Sequence, residues 1–210
     1  MVKVLRVSYL RVIFNLALCI IFMSFASCAY QVEPRIKEKR ILYFHDIESI
    51  LVVPFVDYSG TPNLSQTVTE TFTSELARFN ETGVVHAEAV FDYLNERRVA
   101  ITKKNLEHVG LEIGAAFGVE AIVLGIITEK ERYFPPKLGL SFEIITLADQ
   151  KTIFADSETY DASYNYVREA LDKYAGAKKT TDSVYGKELI MRKYDLFVEF
   201  VCFEIVRKNF

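Results

Sequence analysis

Ile113-Gly-Ala-Ala-Phe-Gly-Val-Glu-Ala-Ile-Val-Leu-Gly-Ile-Ile-Thr128 decides the fold class. Its first half completes a helical period. Leu106, Val109, Ile113 and Phe117 share one face of a helix expected over Thr102–Phe117. Its second half, Ala121–Thr128, is a continuous apolar run rich in β-branched residues, as a strand buried on both faces requires. Gly110, Gly114 and Gly118 fall at i, i+4 and i+8, so they line one helix edge and let its backbone lie close on a sheet. Gly118 also suits the helix end, where left-handed geometry is needed. Gly125, inside the strand, marks the close approach of a helix. The small-residue spacing is not a membrane motif: Glu112 and Glu120 lie within or beside it, and the helix is amphipathic.

Upstream, Ser49-Ile-Leu-Val-Val-Pro-Phe55 reads as another buried strand, stopped near its end by Pro54. Asp57–Asn63 supplies turn residues. A helix is expected over Ser65–Phe79, capped by Ser65, with Val68, Phe72, Leu76 and Phe79 on one stripe. Glu81-Thr-Gly83 ends it, and Val84–His86 is a short strand. Ala87–Arg98 is a helix with Val90, Phe91 and Leu94 inward. Downstream, Glu129–Pro136 is a connection and Leu138–Leu147 alternates, with Leu138, Leu140, Phe142 and Ile144 on one side. Ala148–Lys151 turns the chain and Thr152–Tyr160 returns, making a hairpin exposed on one face. Ser163–Tyr174 is helical and Ala175–Ser183 a loop. Glu188–Lys208 reads as helix by its length and lack of turn residues, with Ile190, Tyr194, Phe197, Val201 and Ile205 on one face. Leu196–Val206 also tolerates a strand reading. The expected fold class is α+β: helices layered on a mixed β-sheet of about four to five strands, in the order β-α-β-α-α-β-β-β, with helices at the C-terminal end.

The N-terminal end reads differently. Lys3, Arg6 and Arg11 precede an apolar run from Val12 to Phe25 that is shorter than the roughly 20 residues a bilayer-spanning helix needs. This is the pattern of a secretory signal. It ends in Phe25-Ala26-Ser27-Cys28, which resembles the lipobox of bacterial lipoproteins, with Phe25 where Leu is usual. Cleavage before Cys28 and lipidation of its thiol are expected; the alternatives are an uncleaved anchor and a plain secretory signal. Residues 29–40 read as a polar tether, reaching about 40 Å when extended. The expected organisation is signal 1–27, tether 28–40, an α/β domain over 41–162 and a helical extension over 163–210. Ala29, rather than Asp, follows Cys28, which in enteric-type sorting implies the outer membrane, with the domain on its periplasmic face.

Removing residues 1–27 takes three of the 25 basic residues and no acid, leaving 22 against 28, a net charge of −6. A mildly acidic chain without a long basic block is a poor nucleic-acid binder. Cys19 leaves with the signal and Cys28 carries lipid, so Cys202 has no intrachain partner; among Phe, Val and Ile it reads as a small buried hydrophobe.

Ile50–Phe55 followed by Asp57 and Gly60, then Glu75-Leu76, then Ile113–Gly125, then Ala148–Lys151 in a hairpin turn form a sequence of features. Over about residues 48–161 it resembles the superfamily of periplasmic proteins that includes the curli-secretion lipoprotein CsgG, the TolB amino-terminal domain and the LpoB-type activators of penicillin-binding proteins. The resemblance implies the fold more firmly than the function, because its members do different jobs.

No chemistry-bearing constellation is legible. His45, His86 and His108 are far apart, and no H-x-x-x-H, C-x-x-C, G-x-S-x-G or P-loop spacing occurs. Asp156, Glu158 and Asp161 read as a solvated sheet face. No enzyme, cofactor or metal site is expected. Two surfaces are candidates for binding. Tyr133 and Phe134, with Pro135 and Pro136, sit in a loop and are either exposed or folded back on the core. Tyr194, Phe197 and Phe200 give the last segment more apolar faces than one amphipathic helix uses, so it either packs wholly on the domain or meets another subunit. The sequence thus points to a membrane-anchored, non-catalytic module that binds envelope proteins. The alternative is a homo-oligomeric, ring-forming component of a CsgG-like secretion or envelope assembly.

Overall fold

The computed structural model describes residues 47–58, 60–61, 63–79, 83–177 and 186–210. The expected export segment, Cys28 and the expected tether lie outside them, as does most of the loop expected before residue 183. The described strands are β1 (Ser49–Val52), β2 (Val56–Asp57), β3 (Gly83–Val84), β4 (Ala121–Glu131), β5 (Lys137–Thr146) and β6 (Thr152–Asp161). Among the described residues there are six helices: α1 (Leu64–Phe79), α2 (Ala87–Arg97), α3 (Leu106–Phe117), α4 (Asn165–Ala177), α5 (Gly186–Arg192) and α6 (Tyr194–Asn209). The order is the expected one, with the first strand in two pieces.

One open mixed sheet runs β3-β1-β4-β5-β6, with β2 continuing the line of β1 against β4. β1, β2 and β3 are parallel to their neighbours, while β4-β5 and β5-β6 are antiparallel. The first strand divides at Pro54. Val52 sits opposite Val123 and Val56 opposite Ile126, so four steps on one strand match three on the other. A proline without an N–H occupies that irregularity, as ladder geometry requires, and pairing resumes beyond it rather than stopping.

Side-chain alternation gives the sheet two faces. On the first, Val123, Leu140, Phe142 and Ile144 pack with Val68, Phe72 and Leu76 of α1, Val167 and Leu171 of α4, and Phe197, Val201 and Ile205 of α6. Phe72 is its centre, with ring centroids 5.3 Å from Phe55 and 5.5 Å from Phe142. On the second face, Ile122, Leu124 and Ile145 pack with Val90 and Leu94 of α2 and Leu106, Val109 and Ile113 of α3. α3 lies close because a Cβ on Gly110 would stand 2.5 Å from Leu124 Cδ2, and one on Gly114 2.7 Å from Ile122 Cγ2. Gly118 ends α3 at φ +65°, the left-handed cap its position suggested. Gly125 differs from expectation: what approaches it is the Phe55 ring, turned inward in the break between β1 and β2.

Other boundaries also move. α1 starts at Leu64 and Ser65 does not cap it; its hydroxyl donates to the Phe55 carbonyl at 2.6 Å. α3 starts at Leu106 because Asn105 Oδ1 accepts from the Thr102 N–H and hydroxyl, holding 102–105 as a turn. The short strand is Gly83–Val84 rather than Val84–His86, and α4 starts two residues later than Ser163. The last segment is two helices, broken at Lys193, whose backbone is extended (φ −103°, ψ 104°). The strand reading of Leu196–Val206 falls away, since these residues lie within α6. Cys202 is buried in the core, and burial pushes its thiol pKa up.

Candidate partner-binding surface

α2 and α3 cover the second face over β3, β1, β4 and the Ile145 end of β5. Across β5 and β6 that face carries Gly139, Ser141 and Glu143 opposite Thr159, Ser157 and Ala155. Ala155, Ser157 and Thr159 are exposed. A long hairpin thus has one side of mostly small residues, bare along β6, while Ser141 and Glu143 of β5 are half-buried and Gly139 is buried.

A bulge reshapes the end of this face. Ile127 pairs with Leu140 and Glu129 with Gly139, so Thr128 is an extra residue on β4. The extra residue reverses the alternation beyond it and brings Glu129 and Glu131 onto the bare face beside Lys137. Lys137 Nζ lies 3.2 Å from Asp161 Oδ2 and 3.5 Å from Glu129 Oε2. The hydrogen bond to Asp161 is the main cause holding the Lys137 pKa up. Burial pushes Asp161 upward, but hydrogen bonds from Ser163 and Lys137 outweigh it and hold its pKa down. Glu129, Lys137, Asp161, Pro135 and Ser163 border a hollow of about 520 Å³.

Beyond the hollow stands the loop 132–136. β4 runs to Glu131, three residues further than the sequence suggested, so the aromatics are carried on the tip of a long strand. Tyr133 is 83% exposed and Phe134 63%. The Tyr133 N–H donates to Glu131 Oε1 at 3.0 Å, and the Pro136 carbonyl accepts from the Ala162 N–H at 3.0 Å, so both flanks of the loop are tied. Arg132 lies over the Tyr194 ring, 5.5 Å from its centroid, and the Tyr194 hydroxyl donates to the Lys137 carbonyl at 3.2 Å. Tyr164 and Tyr166 follow β6 at the same end, both exposed, their rings stacked 5.8 Å apart. Tyr58, after β2, is exposed as well.

The structure therefore separates the residues singled out in the sequence. Tyr133 and Phe134 face solvent. Tyr194, Phe197 and Phe200 are buried in the chain's own core. Phe200 lies against Tyr160 and Tyr174 at 5.7 and 5.5 Å. Tyr58, Tyr164, Tyr166 and Lys137 were not singled out. Strand direction was the available signal: residues that leave β2, β4 and β6, or enter β5, meet at one end. The described chain enters at the other, where Ile50 pairs with Ala121. The 11 residues of β4 separate these ends by roughly 33 Å.

Two titratable groups of β6 pair within the fold. Burial raises the Glu158 pKa while Lys208 pairs with it, and burial raises the Tyr160 pKa while its hydroxyl donates to Glu158 at 2.9 Å. Among the described residues no three His, Cys, Asp or Glu side chains are grouped to hold a metal, and no helix is long and apolar enough to cross a membrane.

No protein-family model matches the chain, and no curated protein matches it. Solved structures do. The lipoprotein GNA1162 from Neisseria meningitidis is 14% identical, with a TM-score of 0.48, over 62% of this chain and 96% of that one. The PelC dodecamer from Paraburkholderia phytofirmans is 15% identical, with a TM-score of 0.41, over 58% of this chain and 78% of that one. LpoB from E. coli is 11% identical, with a TM-score of 0.43, over 54% of this chain and 57% of that one. At such identity a likeness carries neither activity nor partner from one chain to another.

Proposed function

We propose that this chain is a lipid-anchored module of the bacterial cell envelope that binds another envelope protein and catalyses nothing itself. The observation that carries the binding role is the pair Tyr133–Phe134: two consecutive exposed aromatics on a loop tied at both flanks, beside a charged hollow and a bare sheet face. Aromatic side chains supply large contact area at low entropic cost and anchor protein interfaces. Charges of both signs around the hollow orient a partner rather than attract a polyanion. The signal pattern and Cys28 support export and the anchor, and Ala29 supports the outer membrane as its site. The described chain enters the sheet where Ile50 pairs with Ala121, at the end remote from the aromatic loop.

The test is site-specific photocrosslinking in intact cells, with the crosslinking amino acid placed at Tyr133 or Phe134 and, as a control, at the exposed Leu189. The reading expects a discrete adduct with an envelope protein from 133 and 134 only. Identical patterns from all three positions would sink it. An adduct at twice the chain's own mass would instead carry the oligomeric alternative. The anchor is tested separately: Cys28→Ser should release the protein from the membrane fraction without altering its fold.

A further inference from the structure

The edge of the sheet at β3 lies away from the aromatic loop and has a shape of its own. β3 is the outermost strand beside β1, with α1 on the first face of the sheet and α2 on the second. A space of about 870 Å³ opens between these helices along the edge, bordered by Glu70 and Ser74 of α1, Val84 of β3, and Glu88 and Asp92 of α2. The Gly83 N–H donates to the Glu48 carbonyl at 2.9 Å and the Val85 N–H to the Ile50 carbonyl at 3.0 Å. Backbone direction alternates along a strand, so Val84 between them turns its N–H and C=O away from β1, into this space. His86 keeps the backbone extended (φ −61°, ψ 134°) up to the start of α2. The result is a slot whose floor is a strand edge and whose walls are two helices.

The walls are acidic. Glu70, Glu88 and Asp92 are all exposed. The one arginine bordering the slot, Arg78, gives its guanidinium to both carboxylate oxygens of Glu75 at 2.9 Å, which cancels it. Three carboxylates thus line the slot from both sides, Glu70 also accepting from Gln66 Nε2 at 2.7 Å, and among the described residues no cation pairs with them. A second copy of this chain, itself acidic, would be repelled. The short edge also keeps long strands from pairing there.

We infer that this slot takes an extended basic peptide segment of another protein. The segment adds as a strand at β3, with main-chain hydrogen bonds to Val84 and successive Lys or Arg side chains directed in turn to Glu70 on one wall and to Glu88 and Asp92 on the other. Strand addition of this kind draws affinity from the main chain and selectivity from the alternate side chains. Residues 83–86 span about 13 Å of edge, enough for a short segment. The site is independent of the aromatic loop, so either surface can fail without the other.

The probe is a fluorescein-labelled ten-residue peptide of paired Lys and Val (Lys-Lys-Val-Val repeated), which presents Lys on both faces of a strand, titrated with the full chain and followed by anisotropy. Saturable binding that weakens with salt is expected, together with slowed hydrogen exchange at the Val84 amide. The Glu–Val counterpart should not bind. Glu88→Lys combined with Asp92→Lys, both at exposed positions, should weaken binding about tenfold or more. Val84→Pro removes the outward N–H, which β1 does not use, and should abolish binding with the fold intact. Should Val84→Pro fail to fold, the double lysine variant decides. Tyr133→Ser should leave peptide binding unchanged. No binding at millimolar peptide, equal binding of the Glu–Val peptide, or full binding by the double lysine variant would each overturn the inference.

Discussion

Gly125→Ala tests the break at Pro54 and the inward turn of Phe55 at the same time. In an ordinary strand interior, replacing glycine by alanine stabilises by roughly 0.5–1 kcal/mol, because glycine loses more backbone freedom on folding. Here the new Cβ would stand 2.2 Å from Phe55 Cε1, 2.4 Å from Cδ1 and 2.6 Å from Cζ. Ordinary carbon contacts sit at about 3.5–4.0 Å, so the ring must retreat by more than about 1 Å. It has nowhere to go: Phe55 is 1% exposed and its centroid is 5.3 Å from that of Phe72, which also touches Phe142. Overpacking of this kind costs roughly 1–3 kcal/mol, which outweighs the gain from alanine. For a domain of this size that lowers Tm by about 2–4 °C per kcal/mol. Thermal and urea melts of Gly125→Ala, Phe55→Leu and the double variant form the assay. In the Phe55→Leu background the alanine should cost at least about 1 kcal/mol less than in wild type, because the ring it strikes is gone. A Gly125→Ala protein as stable as wild type, or one losing the same amount in both backgrounds, refutes this account of the break.

Other outcomes follow from the same packing. Phe200→Ala should cost about 3–5 kcal/mol, since its ring is fully buried among Tyr160, Tyr174 and Phe197, whereas Tyr133→Ser should change stability by under about 0.5 kcal/mol; urea melts separate the two. Cys202 should react with a thiol reagent only as fast as the chain unfolds, which stopped-flow labelling across urea concentrations reads directly. In the hairpin turn, hydrogen bonds from Lys151 and then Thr146 hold the Asp149 pKa down at about 2. A carboxylate held low in the folded state stabilises above its unfolded pKa, near 4, and that contribution is lost as pH falls towards 2. Asp149→Asn should therefore melt below wild type at pH 7, and the difference should close between about pH 4 and pH 2.

The layering was legible because burial leaves a periodic trace. Val68-Phe72-Leu76 and Leu106-Val109-Ile113 mark helices, and the unbroken Ile122–Leu124 run marks a central strand, whatever surrounds them. Boundaries were less legible where a single side chain overrides propensity. Asn105 captures Thr102 and delays α3, and Ser65 bonds Phe55 instead of capping α1; at Lys193 it is the extended backbone that divides a segment that reads as continuous helix. The bulge at Thr128 leaves no mark in the sequence, since an extra residue shows only against its partner strand, yet it carries Glu129 to Lys137. Likewise, Val84 reads as an ordinary strand residue; only its place beyond β1 gives it an open edge.

Size bears on what the aromatic end can do. Aromatic side chains bury about 150–250 Å² each. Scaled by the exposures of Tyr133 (83%), Phe134 (63%), Tyr164 (56%) and Tyr166 (60%), the four offer roughly 500 Å². A standard interface takes about 800 Å² from each partner, so the aromatics alone fall short and the bare hairpin face must contribute the rest. At about 25 cal/mol per Å² they supply roughly 13 kcal/mol gross, much of which the estimated 4–15 kcal/mol cost of association would absorb. Such a surface binds weakly from free solution. A chain held on a membrane that its partner also borders has part of that cost met by the tether, since confinement raises effective concentration towards the millimolar range. Releasing the chain through Cys28→Ser should therefore reduce crosslinking from Tyr133 even though every residue of the surface is unchanged. Undiminished crosslinking by the released chain would show instead that the surface is larger or tighter than these four rings and the hairpin face provide.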